Sequence, residues 1–306
     1  MTDFPFPDDI PQDLRDLMAP ILSKGPMIPA QTVHHILDTL GLDIGELMIR
    51  LLPVAAAFAR VPLSNYHVGT VALGMPAGQS VGNLYLGSNM EFSGHALSFS
   101  VHGEQSAINH AWQKGEPGLQ ALAVNAAPCG YCRQFMNELA TANAGFTILM
   151  KAATDPADLS YTRKPLAAYL PESFGPWDLG MTGGLMTPVD HGLKIASSDP
   201  LAQAALTAAN ASYAPYTSNF CGVAVQQSDG TIYTGRYGEN VAYNPSFSPL
   251  ESAMALLNMS QPPQTPYDIT AAVLVEAAAK ISQRSATEAV LSAIAPNVTL
   301  QYLQAS

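Results

Sequence analysis

The chain has 306 residues, a formal net charge of −11 and only 13 lysines and arginines. Binding a nucleic acid polymer rests largely on cations that neutralise phosphates, so this charge balance points away from nucleic acid and towards a small, uncharged substrate. Apolar residues make up 48 % and charged residues 12 %, about half the usual ~25 %, which allows a large core and suggests surface hidden in an oligomer.

Residues 1–60 read as helical. Ile10, Leu14, Leu17 and Ile21 recur at helical spacing, as do Val33, Ile36, Leu37 and Leu40, with Gly41 as the stop. A third helix is expected from Asp43 as N-cap to about Arg60, bent at Pro53. From Tyr66 the pattern changes. YHVGTVALG alternates like a strand and Leu84–Leu86 reads as its partner. A helix from His102 to about Lys114, a strand over Ala121–Ala126, a helix from Pro128 to about Thr141 and a strand over Phe146–Met150 follow. The order β-β-α-β-α-β implies an α/β fold, a mixed sheet with helices on its faces. Residues 151–198 are rich in Pro, Gly, Asp and Thr and read as a linker, long enough to cross to another subunit.

The pattern then returns over residues 199–306. NFCGVAVQQSDGTIYTG repeats the first hairpin, with Asp229-Gly230 at its turn, and PLESAMALLNM repeats GEQSAINHAW. Strands are expected over Ile269–Val275 and Val298–Leu303, with a helix over Ala286–Ile294 between them. Aligning Glu251-Ser252-Ala253 on Gln105-Ser106-Ala107 places Ser248 opposite His102 and Leu250 opposite Glu104. This implies a helical segment (1–60), a catalytic domain (61–150), a linker (151–198) and a degenerate, non-catalytic copy (199–306).

The chemistry concentrates in the first copy. It holds one His-x-Glu (His102, Glu104) and one Pro-Cys-x-x-Cys (Pro128, Cys129, Cys132), with Cys129 lying 27 residues after His102. One imidazole and two thiolates are three protein ligands for zinc and leave a fourth position open, the mark of a catalytic site. Placed at helix starts, these ligands would meet two positive dipole ends that favour thiolates. Cys221 stands alone, so the three cysteines form no disulfide framework. Reduced thiols suit a cytoplasmic setting. The acidic opening MTDFPFPDDIPQDL lacks a signal-peptide layout, and Arg50 and Pro53 interrupt the most apolar stretch, so no membrane span is expected.

The pairing of H-x-E with P-C-x-x-C is the signature of zinc nucleobase deaminases. Over nearly its whole length the chain resembles the two-domain, homodimeric cytidine deaminases of bacteria and plants, most strongly from Pro62 to Glu138. The resemblance implies the duplicated three-layer α/β/α deaminase fold and hydrolysis of cytidine and deoxycytidine to uridine and deoxyuridine plus ammonia, in pyrimidine salvage. It implies one Zn²⁺ per chain on His102, Cys129 and Cys132, with Glu104 as the proton shuttle. Asn89 and Glu91 match the family's N-x-E, which bonds a ribose hydroxyl. Tyr66 stands where an aromatic lies against the pyrimidine, and Phe174 matches a phenylalanine that reaches a neighbouring subunit's site.

Two positions depart from the pattern. Gly103 replaces the usual Ala, and Ala127 the usual Ser or Thr; both are backbone contacts to the base in the family. Arg133, next to a ligand, is a candidate hydrogen-bond donor to a thiolate. Glu239 and Asn240 echo the N-x-E region with a structural role expected. The rival readings are a deaminase of a modified cytosine nucleoside or other amino-heterocycle, and a non-catalytic nucleoside-binding protein.

Overall fold

A computed structural model describes residues 4–8, 10–22, 25–152 and 158–306. Four helices come first: α1 (Gln12–Leu22), α2 (Ala30–Leu40), α3 (Ile44–Arg50) and α4 (Leu52–Ala56), with a short strand β1 (Met27–Ile28) between the first two. Gly41 closes α2 at φ 64°, a left-handed position that glycine adopts without strain. Asp43 caps α3 through a reciprocal box with Glu46, each side chain accepting the other's backbone N–H at 2.8 Å. The single helix expected over 43–60 is two helices that meet at Leu51. Pro53 sits in the first turn of α4, where its missing N–H costs nothing, and it cannot continue the ladder of α3.

The first sheet is built from β2 (Gly69–Gly74), β3 (Leu84–Ser88), β4 (Leu119–Val124), β5 (Thr147–Lys151) and β6 (Tyr161–Pro165), with α5 (Gly103–Gln113) and α6 (Gly130–Met136) between strands. Among the described residues its order is β1-β3-β2-β4-β5-β6. β4 and β5 are parallel and the other pairs antiparallel. Alternation along β2 sends Val71 and Leu73 to the face packed against α1–α4, and Ala72 to the face packed against α5 and α6. β6 lies within the stretch expected to be linker. Its sequence YTRKP is mostly exposed, so it carries no alternating signal, and its charges and proline suit an edge strand. α6 is also shorter than expected. Cys129 is its N-cap, which leaves Pro128 outside, and turns replace helix beyond Asn137.

The second half repeats the layers. α7 (Pro200–Asn210), an alanine-rich helix not expected from the sequence, covers one face of β7 (Cys221–Gln227), β8 (Ile232–Arg236), β9 (Ile269–Ala277) and β10 (Leu300–Ala305). α8 (Pro249–Met259) and α9 (Arg284–Ile294) cover the other. The order is β10-β9-β7-β8, with β9 and β10 parallel. Both hairpins press glycine onto a helix at the same register. A Cβ on Gly87 would lie 2.2 Å from the Ala107 nitrogen, and one on Gly235 would lie 2.2 Å from the Ala253 nitrogen. Ala107 and Ala253 are the pair aligned from sequence. α5 and α8 then pack on each other in one continuous core, tied by Asn109, which donates to the Ser252 carbonyl at 2.9 Å and accepts from its hydroxyl at 2.6 Å. No described helix is long and apolar enough to cross a membrane.

Glu251 completes the capping box of α8 with Ser248. Burial pushes its carboxyl up to about 7 from 4.5. The folded state therefore binds this proton more tightly than the unfolded chain does. Its contribution to stability is full below pH 4.5 and is lost as pH rises through about 7. Gln also serves at this capping position. Glu251→Gln is expected to match the parent near pH 4.5 and to exceed it by roughly 1–3 kcal/mol at pH 8 in urea unfolding. Identical pH–stability curves for the two proteins would refute this.

Candidate active site and metal centre

The sheet delivers two helix starts to one place. His102 is the N-cap of α5, its backbone N–H held by Gln105 Oε1 at 3.1 Å. Cys129 is the N-cap of α6, where its sulfur accepts the Cys132 N–H at 3.5 Å. Nδ1 of His102 lies 3.6 Å from Cys129 Sγ and 3.2 Å from Cys132 Sγ, and the two sulfurs are 3.6 Å apart. These three form a cluster able to hold a metal ion. Bonds from Cys132 and His102 hold the Cys129 thiol well below its ordinary value. The Cys129 bond in turn raises His102 against the effect of burial. Tyr131 stacks on the His102 ring at 5.2 Å.

Glu104 follows in the first turn of α5 and is 5 % exposed. Burial raises its carboxyl above 4.5, against opposing bonds from its own backbone and Cys132. His102, Cys129 and Glu104 share one cavity of about 760 Å³ with Tyr66, Asn89, Glu91, Gly103 and Ala127. Asn89 and Glu91 lie just beyond β3, on either side of Met90, which bridges Arg60 and Val101. Asn89 accepts from the Val68 N–H at 2.9 Å and donates to the Tyr66 carbonyl at 2.8 Å. Glu91 accepts the N–H groups of Leu63 and Ser64 at 2.8 and 3.1 Å on Oε2, and the Ser64 hydroxyl on Oε1. Although burial opposes them, the Ser64 hydroxyl and these two amides lower its carboxyl, so it is ionised at neutral pH.

Phe174 stands apart from this cavity. Its ring is half exposed, and its carbonyl is held by Gln134 and Asn137 at 2.9 and 3.0 Å. Arg133 does not take the place expected of it. Its Nε donates to the Pro128 carbonyl at 2.7 Å and its Nη1 to the Tyr169 carbonyl at 3.0 Å, so it braces the loop ahead of α6. Ser64 and Thr70 were missed. Single hydroxyls in a loop and a strand carry no motif, and only their bonds reveal them.

The family described as cytidine and deoxycytidylate deaminase zinc-binding region matches the chain twice, over residues 44–147 and 166–288. Cytidine deaminase of Vibrio cholerae is 46 % identical over 90 % of this chain and 88 % of its own. The chain belongs to the cytidine and deoxycytidylate deaminase family. Cytidine deaminase of Aliivibrio fischeri is 42 % identical over 96 % of this chain and 95 % of its own. A crystal structure of cytidine deaminase from Mycobacterium tuberculosis is 25 % identical, with a TM-score of 0.35, over 44 % of this chain and 99 % of that one.

Packing leaves little room for a side chain at residue 103. A Cβ there would lie 2.9 Å from Val68 Cγ1 and 3.2 Å from Thr70 Cγ2, so neighbouring methyls already fill the space of an alanine methyl. The Thr70 hydroxyl meanwhile donates to the Gly103 carbonyl at 2.6 Å and lies 3.0 Å from that of Gly87. Gly103→Ala alone is expected to destabilise the fold by roughly 1–3 kcal/mol through overpacking. Thr70→Ser keeps the hydroxyl and removes Cγ2, so the double variant should recover part of that loss, with a coupling of about 0.5 kcal/mol or more in thermal melts. Strictly additive effects would show that the two positions do not share the space.

Proposed function

We propose that the chain is a zinc-dependent hydrolytic deaminase that converts cytidine and deoxycytidine, with water, to uridine and deoxyuridine plus ammonia, in pyrimidine salvage. The observation that carries this reading is the meeting of one imidazole nitrogen and two sulfurs beside the buried carboxylate of Glu104. The cytidine deaminases of Vibrio cholerae and Aliivibrio fischeri, so similar over almost the whole chain, support the substrate class.

The donor set fits zinc. Bonds of ~2.3 Å to sulfur and ~2.0–2.1 Å to nitrogen in a tetrahedron need donors roughly 3.5–3.8 Å apart, close to the spacings here. His102, Cys129 and Cys132 would hold one ion per chain. The ion would supply Lewis acidity and an activated water at neutral pH. Glu104 is placed to take a proton from the attacking water and to pass it to the ring nitrogen next to the amine-bearing carbon. The carbon becomes electrophilic and gains the water's oxygen. Glu104 then moves a second proton to the departing amine, which leaves as ammonia. A carboxyl raised by burial is suited to change protonation state twice in a turnover.

Asn89 and Glu91 are assigned to the sugar. A carboxylate has about four acceptor positions. Three on Glu91 are filled by Leu63 and Ser64, which leaves one on Oε1 for a single hydroxyl. Tyr66 offers its ring to the pyrimidine, and the backbone at Gly103 and Ala127 faces the base. We read the protein as a cytoplasmic homodimer. Leu97, on the cavity wall, is 75 % exposed, and Phe174 also stands open. Such apolar rims are suited to burial against a second copy, whose Phe174 would complete the site.

Zinc-loaded protein mixed with cytidine should lose the cytidine absorbance and yield uridine on chromatography. Glu104→Ala should keep its circular dichroism and zinc while turnover falls about 10²–10⁴-fold or more. Near-normal turnover in that variant would overturn the proton-transfer role. The acid limb of kcat/KM should lie above 4.5, since activity is lost as pH falls through the raised Glu104 value. Elemental analysis should find one zinc per parent chain and far less in Cys129→Ser; equal zinc in both would exclude Cys129 as a ligand.

A further inference from the structure

The two halves agree more closely in hydrogen bonds than in residues. Glu239 accepts the N–H groups of Tyr216 and Thr217 at 2.8 and 3.2 Å on Oε2, and the Thr217 hydroxyl on Oε1. This is the arrangement of Glu91 with Leu63 and Ser64. Each loop next passes through one left-handed residue, Asn65 at φ 53° and Ser218 at φ 58°. Each carboxylate follows a residue that bridges two segments: Met90 joins Arg60 and Val101, and Gly238 joins Tyr213 and Phe247. The counterpart of Asn89-Met90-Glu91 is therefore Tyr237-Gly238-Glu239. Asn240 lies outside it and bonds the Gln134 carbonyl at 2.9 Å.

A cavity of about 910 Å³ opens at the corresponding place, bordered by Thr217, Tyr237, Glu239, Tyr243, Ser246 and the loop after β9. What this half has lost is one-sided. The metal and proton-transfer end is gone, because Ser248 and the fully buried Leu250 stand where His102 and Glu104 stand in the first half. The carboxylate end is intact. Glu239 is 2 % exposed, and its Oε1 keeps one acceptor position open towards a donor. A buried acceptor of this kind costs free energy unless a donor fills it.

We propose that this cavity is a second, non-catalytic site for a pyrimidine nucleoside, with a sugar hydroxyl donating to Glu239 and the base against Tyr237 and Tyr243. It rests on the sugar-binding reading of Glu91. Flat bases suit tyrosine faces. With no donor cluster and no carboxyl in the place of Glu104, the bound nucleoside stays unchanged.

Equilibrium dialysis of the zinc-loaded, full-length protein against labelled uridine, at up to millimolar concentration, tests this. Uridine has no amine to lose and is not consumed. Two uridines per chain are expected. Ala279→Trp fills the cavity from an exposed position and should bind one, with kcat and KM for cytidine unchanged. Tyr243→Gly, at a residue with φ 63° where glycine is unstrained, should weaken the second site roughly 3–10-fold. One uridine per chain in the parent, or two in Ala279→Trp, overturns the second site. Cytidine turnover on the same preparation separates the readings. Turnover with one uridine per chain removes only the second site, whereas two uridines without turnover support it and remove the reaction.

Discussion

Three donor atoms from two helix starts have to meet within 4.8 Å, and the rest of the chain is arranged around that requirement. α5 and α6 begin at opposite ends of a loop of structure that passes through β4 in the middle of the sheet. The register of β2 against β4 places Thr70 opposite Val124, and Thr70 grips the first carbonyl of α5. A slip of one residue would turn Thr70 to the other face and release that grip. The wall formed by Asn89 and Glu91 depends on the same edge, because it continues β3 past its last paired residue.

The cluster of His102, Cys129 and Cys132 was legible because a metal-holding donor set needs rare residue types at fixed spacing. So was the duplication, down to Ala107 and Ala253, since both copies press the same small residue onto a hairpin glycine. Legibility failed where no alternation or motif exists. β6 is an exposed edge with charges on it, and α7 is a run of alanines that suits any buried helix. The counterpart of the N-x-E segment is also not Glu239-Asn240 but Tyr237-Gly238-Glu239. Only the bonds to Tyr216 and Thr217 show that Glu239 stands for Glu91 and that Tyr237 has displaced the amide. Arg133 shows the limit of reasoning from adjacency: a side chain next to a ligand in sequence is turned away by the helix it sits on.

The halves are bound to each other by polar groups that neither could satisfy alone. Glu138, fully buried, accepts from Tyr213, Tyr216 and the Val241 N–H, and burial raises its carboxyl despite those bonds. Asn258 donates to the Phe58 carbonyl at 2.9 Å. Separating the halves would break these bonds and expose the apolar core that α5 and α8 share. The second half is thus an internal partner, whatever else it binds.

Arg60 joins these two themes. Its backbone pairs with Asn89 and Glu91, while its guanidinium reaches Asn258 and the Thr265 carbonyl and lies 4.0 Å over the Tyr267 ring. One residue therefore clamps the cavity wall to the far half of the molecule. Any loosening of the C-terminal half is felt at the Asn89–Glu91 wall through this side chain. Arg60 sits between the two halves as a fuse sits in a circuit, a side chain through which a disturbance in one reaches that side of the cavity in the other.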